Sequence, residues 1–169
     1  SKEIHHSGPQ EENAKRTMSY LTKTKELYAS YFSERPVPCT PAEIHQLEQS
    51  LQLTLPKAFT EYLLWMGNGA DLCAGSDFYY RPLFDLKEGV DDIFERNPDH
   101  PLLPKDAIVF FMHVGTFFLF ICASEGDNPP VYFYAEGMTQ FGKEADQFST
   151  YLEKKIIQAK EFQKKSELL

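Results

Sequence analysis

"AIVFFMHVGTFFLFICA", residues 107–123, is the stretch on which the fold turns. Its seventeen residues carry no Asp, Glu, Lys or Arg. They approach the roughly 20 apolar residues that a membrane-spanning helix needs. The residue types argue otherwise. β-branched and aromatic side chains dominate, and His113, Gly115 and Thr116 interrupt the run at its middle. Two buried strands joined by a tight turn near Val114-Gly115 accommodate all of these, so the segment reads as a hairpin and not as a membrane span.

Working outward, "PVYFYAEGMTQF" (130–141) reads as a second strand pair turning at Glu136-Gly137. Residues 144–165 place Ala145, Phe148, Leu152, Ile156 and Ala159 on one helical face. On the other side of the hairpin, "SDFYYRPLF" (76–84) predicts one or two short strands. "DLKEGVDDIFERNP" (85–98) predicts a short helix with Val90, Ile93 and Phe94 inward, stopped at Asn97-Pro98. Thr40-Pro41-Ala42-Glu43 is a helix start: Thr40 caps, Pro41 fits the first turn, and Glu43 reaches back to close a capping box. Ile44, Leu47 and Leu51 follow on one face, and "LTLP" ends the helix. Pro56 opens the next helix, whose stripe of Phe59, Tyr62, Leu63 and Met66 runs up to Gly67. Residues 14–33 carry Met18, Leu21, Tyr28 and Phe32, with Tyr20, Leu27 and Tyr31 beside them, and read as an amphipathic helix broken by "ERPVPC".

Along the chain the elements thus read as helices early, strands in the second half and a long helix at the end. The expected divisions are a polar, poorly ordered lead-in over 1–13, a helix and Pro-rich connector over 14–38, and the main domain over 39–169. The chain opens at Ser1 without a signal-peptide pattern. Cys39, Cys73 and Cys122 are odd in number and far apart, which disfavours a disulfide framework or zinc site and favours a reducing cytoplasm.

The net charge of −8 is unevenly placed. Residues 39–142 hold fifteen acidic and five basic residues, whereas each flank holds six basic and five acidic. Such a centre disfavours direct nucleic-acid binding, which needs Lys and Arg against phosphates, and would attract a basic partner. The plain alternative is a surface that only keeps the protein soluble.

The motifs of catalysis are missing. Gly67-Asn68-Gly69 follows a helix instead of opening one, so it reads as a helix stop with Gly67 in the left-handed position, not as a phosphate loop. His45 has only Glu48 and Gln49 one turn away, so no metal site is expected. Cys39 beside a helix start has no His or Asn placed with it. The carboxylates Asp85, Glu88, Asp91, Asp92 and Glu95 read as a solvated helix face. No cofactor is expected.

"CTPAEIHQLEQSLQLTLPKAFTEYLLWMGNGA" resembles the signature of the SUKH superfamily, which unites yeast cell-wall assembly regulators with many bacterial immunity proteins. Ile44, Leu47, Leu51, Leu55, Pro56, Phe59, Tyr62, Leu63, Asn68 and Gly69 stand at the matching places. "FDLKEGVDDIFERNP", "PVYFYAEG" and "ADQFSTYLEKKI" resemble later family blocks in the right order, so the likeness covers roughly 39–157. Where the family pattern has His-Glu after the aromatic strand, this chain has Ala135-Glu136. The resemblance implies a SUKH-like α+β domain, a mixed, mainly antiparallel sheet packed against helices, here with an extra N-terminal helix and a long C-terminal one, and a non-catalytic, cytoplasmic immunity protein of bacterial type. Its partner would be a toxin, often a nuclease and so basic where it holds nucleic acid. A regulatory scaffold binding an endogenous partner is the alternative, and a small enzyme built on His113, Cys122 or the carboxylates is a third. The contacts expected are Asp71, Asp77, Asp85, Asp91, Asp92, Glu95, Asp99, Glu125 and Asp127, with Tyr79 as an aromatic anchor. Phe78 and Tyr80 are expected in the core. Thr40, Glu43, Pro56, Trp65, Gly67 and Gly69 are expected as structural landmarks, with Trp65 under the sheet. Oligomeric state stays open.

Overall fold

A computed structural model describes residues 19–70, 72 and 79–168. These form α1 (Thr22–Tyr31), α2 (Pro41–Leu51), α3 (Lys57–Met66), α4 (Leu86–Glu95), β1 (Ala107–His113), β2 (Phe117–Cys122), β3 (Val131–Ala135), β4 (Gly142–Ala145) and α5 (Phe148–Glu167), with 3-10 turns at Arg81–Phe84 and Ala123–Glu125. The architecture is α+β, with helices packed on one sheet.

The decisive stretch is a hairpin. β1 and β2 pair antiparallel from Ala107↔Cys122 to His113↔Phe117. The turn is closed by the Thr116 amide donating to the His113 carbonyl at 3.2 Å. Val114 and Gly115 both hold positive φ, +54° and +66°, the combination that matches the twist of paired strands. β1 is buried at every position but His113, which is why its sequence reads as one apolar run without alternation. No helix among the described residues is long and apolar enough to cross a membrane.

The sheet order is β1-β2-β3-β4 and each described pair is antiparallel, so the mixed pairing allowed for has no place among the described residues. Two aromatic clusters seat helices on this sheet. Phe110 meets Phe59 of α3 and Phe148 and Tyr151 of α5. Phe94 of α4 packs edge-on against Phe118 and Tyr134.

α2 starts on a complete capping box, with the Thr40 hydroxyl accepting from the Glu43 amide and the Glu43 carboxylate accepting from the Thr40 amide. Pro56 stands at the N-cap of α3, where its missing N–H costs nothing. α1 belongs to the same core: Leu21, Tyr28 and Phe32 are buried. The Glu61 carboxylate of α3 accepts from the Ser19 hydroxyl and the Tyr20 and Leu21 amides. The Lys160 ammonium of α5 donates to the Tyr31 carbonyl at the end of α1.

Several expectations are corrected. Residues 81–84 form a 3-10 turn and not a strand. Pro82 has no N–H for a ladder, and Tyr80 and Phe84 stack edge-on at 5.2 Å across one turn. The strand pairing with β3 begins only at Gly142, where a β-carbon would lie 2.3 Å from the Phe133 ring and glycine alone leaves that ring its place. Ala145 therefore ends a strand, and the final helix starts at Phe148. Gly67 ends α3 in right-handed conformation at φ −61°; the positive φ falls on Gly69, at +144°. Trp65 is half-buried and packs edge-on against Tyr28 of α1, 5.4 Å away, instead of lying under the sheet.

Candidate interaction surface

α4 is short and strongly two-faced. Leu86, Val90 and Ile93 are buried. Glu88, Asp91, Asp92 and Glu95 are exposed. At 3.6 residues per turn these four carboxylates occupy an arc of roughly 100°, opposite the buried side chains. Asp85 precedes the helix and Asp99 follows it, both exposed. None of these six has an ion pair among the described residues, where the pairs are Lys57–Asp127, Arg96–Glu136 and Lys143–Asp146.

The two cations of this helix region are turned to other work. Lys87 donates to the carbonyls of Lys105 and Ala107. Arg96 donates to Glu136 Oε1 from both Nε and Nη2, at 2.9 and 2.8 Å, and to the Gly115 carbonyl at 2.8 Å. Asn97 accepts from the Gly137 amide. Arg96 and Asn97 thereby fasten the end of α4 to the two turns at that end of the sheet. Glu136, the residue kept where the resemblance expects His-Glu, is the ion-pair partner in this fastening.

Beside α4 lies a groove of about 580 Å³, whose lining joins the apolar Val90, Phe94, Leu102, Leu103 and Pro104 and the His100 ring to two acids, Glu88 and Asp91, and two lysines, Lys87 and Lys105. The His100 ring stacks on Phe94, 3.9 Å between centroids and 5° from parallel.

The structure gathers Asp85, Asp91, Asp92, Glu95 and Asp99 at one helix and adds Glu88, which was read only as part of a solvated face. The three- and four-residue spacing from Asp85, Asp91 and Asp92 was its signal. Asp71, Asp77 and Phe78 lie outside the described residues. Glu125 accepts from the Tyr132 hydroxyl at 2.7 Å. Asp127 accepts from the Tyr20 hydroxyl and pairs with Lys57. Both thus fasten their own loop. Tyr79 is half-buried, with its hydroxyl donating to the Ala70 carbonyl. Tyr80 is buried, with its hydroxyl donating to the Glu43 carbonyl.

The proposed enzymatic residues are kept apart. His113 ends β1 beside the turn, whereas Cys122 pairs with Ala107 at the other end, about 20 Å away at 3.3 Å per residue. Burial pushes the Cys122 thiol up to about 12, helped by Asp106 and Glu125. Burial likewise pushes Cys39 up to about 12, with Glu43 adding to it, so the neighbouring helix start does not yield a thiolate. No group of three or more His, Cys, Asp or Glu among the described residues is placed to hold a metal ion.

Comparison with curated proteins gives no match. Residues 38–154, more than half of the chain, match the model of the SMI1 / KNR4 family (SUKH-1), and on that match the chain belongs to this family.

Proposed function

We propose that the chain is a non-catalytic protein-binding domain, an immunity protein that neutralises a toxin domain with a basic face, working in the cytoplasm. The observation that carries this reading is the α4 surface: six exposed carboxylates that have no ion-pair partner among the described residues. Family membership supports a protein partner, and the negative field of residues 39–142 would speed encounter with a basic one. A nuclease cleft shaped for phosphates is the kind of surface such a stripe would occlude.

The test is co-purification with candidate basic toxin domains at rising salt, with Asp91→Lys/Asp92→Lys alongside. Binding is expected to weaken with salt and to be lost on charge reversal. Binding indifferent to both would sink the acidic-face reading. Capture of an endogenous protein with the same charge sensitivity, and of no toxin, would assign the regulatory-scaffold role instead.

A further inference from the structure

Asn68-Gly69 is the one Asn-Gly pair in the chain. Such a pair is reactive wherever the chain is free, because no β-carbon hinders the glycine nitrogen from reaching the asparagine side chain. Asn97 and Asn128 each precede a proline, whose nitrogen has no proton to lose. Asn68 lies exposed just beyond α3, open to water and base. The fold needs both residues of the pair. Gly69 holds φ +144°, which residues with a side chain rarely adopt. Asn68 Nδ2 donates to the Pro38 carbonyl and to Glu43 Oε1, both at 3.2 Å, with Glu43 Oε2 at 3.4 Å. These bonds tie the end of α3 to the connector and to the first turn of α2.

The same bonds keep the pair from reacting. Attack needs the Gly69 nitrogen stripped of its proton and brought against Asn68 Cγ, close and aligned. Here the Gly69 amide donates to the Met66 carbonyl at 3.0 Å, the Asn68 amide to the Val37 carbonyl at 2.8 Å, and the Val37 amide to the Gly69 carbonyl at 2.8 Å. The backbone is therefore fixed on both sides of the Asn68–Gly69 bond, and Glu43 and Pro38 hold the side chain at its far end.

We infer that Asn68 is a latent deamidation site guarded by Glu43, whose reaction, once that contact opens, undoes the join between α2 and α3. The Gly69 amide gives its proton to base, and its nitrogen forms a bond to Asn68 Cγ. The Cγ–Nδ2 bond breaks and the side-chain nitrogen leaves as ammonia. Water then opens the resulting ring at either carbonyl, to aspartate or to isoaspartate. Aspartate sets a second carboxylate against that of Glu43 with no N–H between them, and the like charges repel. Isoaspartate routes the backbone through the side chain and adds a carbon to it, a change that the Val37–Gly69 bridge does not survive.

The test is incubation of the full chain at mildly alkaline pH, folded and in urea. The peptide carrying residue 68 is followed by mass spectrometry and by enzymatic methylation of isoaspartate. The folded chain is expected to convert about tenfold more slowly than the unfolded one, or slower still. Glu43→Ala should convert about tenfold faster than folded wild type, the scale of lost hydrogen bonds to a charged group. Thr40→Ala removes the hydroxyl that caps α2 but leaves Glu43 on Asn68, and should convert at the wild-type rate. Equal rates folded and unfolded, or equal acceleration by Thr40→Ala and Glu43→Ala, would overturn the guard. Asn68→Asp stands for the product. Its thermal midpoint should fall, and adding Glu43→Gln should recover part of the loss. Losses that simply add in Asn68→Asp/Glu43→Gln would show that the two carboxylates are not opposed, and would overturn the effect on the join.

Discussion

Val114 holds φ +54° with its side chain 77% exposed. For a β-branched residue the left-handed region costs roughly 1–2 kcal/mol, and an exposed side chain recovers little of that by burial. The turn tolerates it because Gly115 and the cross-turn bond from Thr116 close the hairpin regardless. Val114→Asn creates the Asn-Gly pair that such turns prefer, and should raise stability by about 1 kcal/mol, read as a higher denaturant midpoint with unchanged slope. Glu43 offers a second test at this scale. The Thr40 amide's bond to it, reinforced by the Asn68 and Thr40 side chains and the nearby Arg81, holds its carboxyl below the ordinary 4.5. A carboxylate depressed in the folded state stabilises above its unfolded pKa, and that contribution is lost as pH falls through the lower folded value. Acidification below 4.5 should therefore erode wild-type stability, and Glu43→Gln should flatten this part of the profile, measured by thermal melts across the acid range.

At the scale of the element, α4 carries its charge at a cost. Glu88–Asp92 and Asp91–Glu95 are like-charged pairs four residues apart, each unfavourable by about 0.2–0.5 kcal/mol in a helix. Glu95 and Asp99 also stand at the helix C-terminal end, where negative charge opposes the macrodipole. Asp91→Asn/Asp92→Asn relieves both pairs. The free protein should gain roughly 0.5–1 kcal/mol at low salt, with the gain shrinking as salt screens the charges. Affinity for a basic partner should fall in the same variant. Opposite signs for stability and binding distinguish a surface shaped for contact from one that only confers solubility; a variant that gains stability and keeps its affinity would point to solubility.

At the scale of the whole molecule, what sequence reveals depends on how far the cause lies along the chain. The capping box of Thr40 and Glu43 spans four residues and was legible. So was the 107–123 hairpin, whose turn residues sit between its strands. Gly67 reads from sequence as a left-handed helix stop, but the fold asks it for room instead: a β-carbon there would stand 2.4 Å from Cys39 Sγ, far back in the chain, and 2.7 Å from the Leu63 carbonyl oxygen. The same limit hid the separate fastenings of Glu125 and Asp127, made by Tyr132, Tyr20 and Lys57. Trp65 belongs with them, since its partner Tyr28 comes from a helix outside the matched family range. That helix yields the last prediction. α1 and its flanks bury Leu21, Tyr28 and Phe32, each contributing roughly 1.5–3 kcal/mol. Their sum, on the order of 5 kcal/mol or more, rivals the total stability of a typical domain. Removing residues 1–33 should leave a chain that unfolds at far lower denaturant or aggregates. Emission from Trp65, the sole tryptophan, should move to the red as its ring loses Tyr28. A truncated chain with an unchanged midpoint would make α1 an appendage; loss of cooperative unfolding would make it part of the domain that the family match begins only at residue 38.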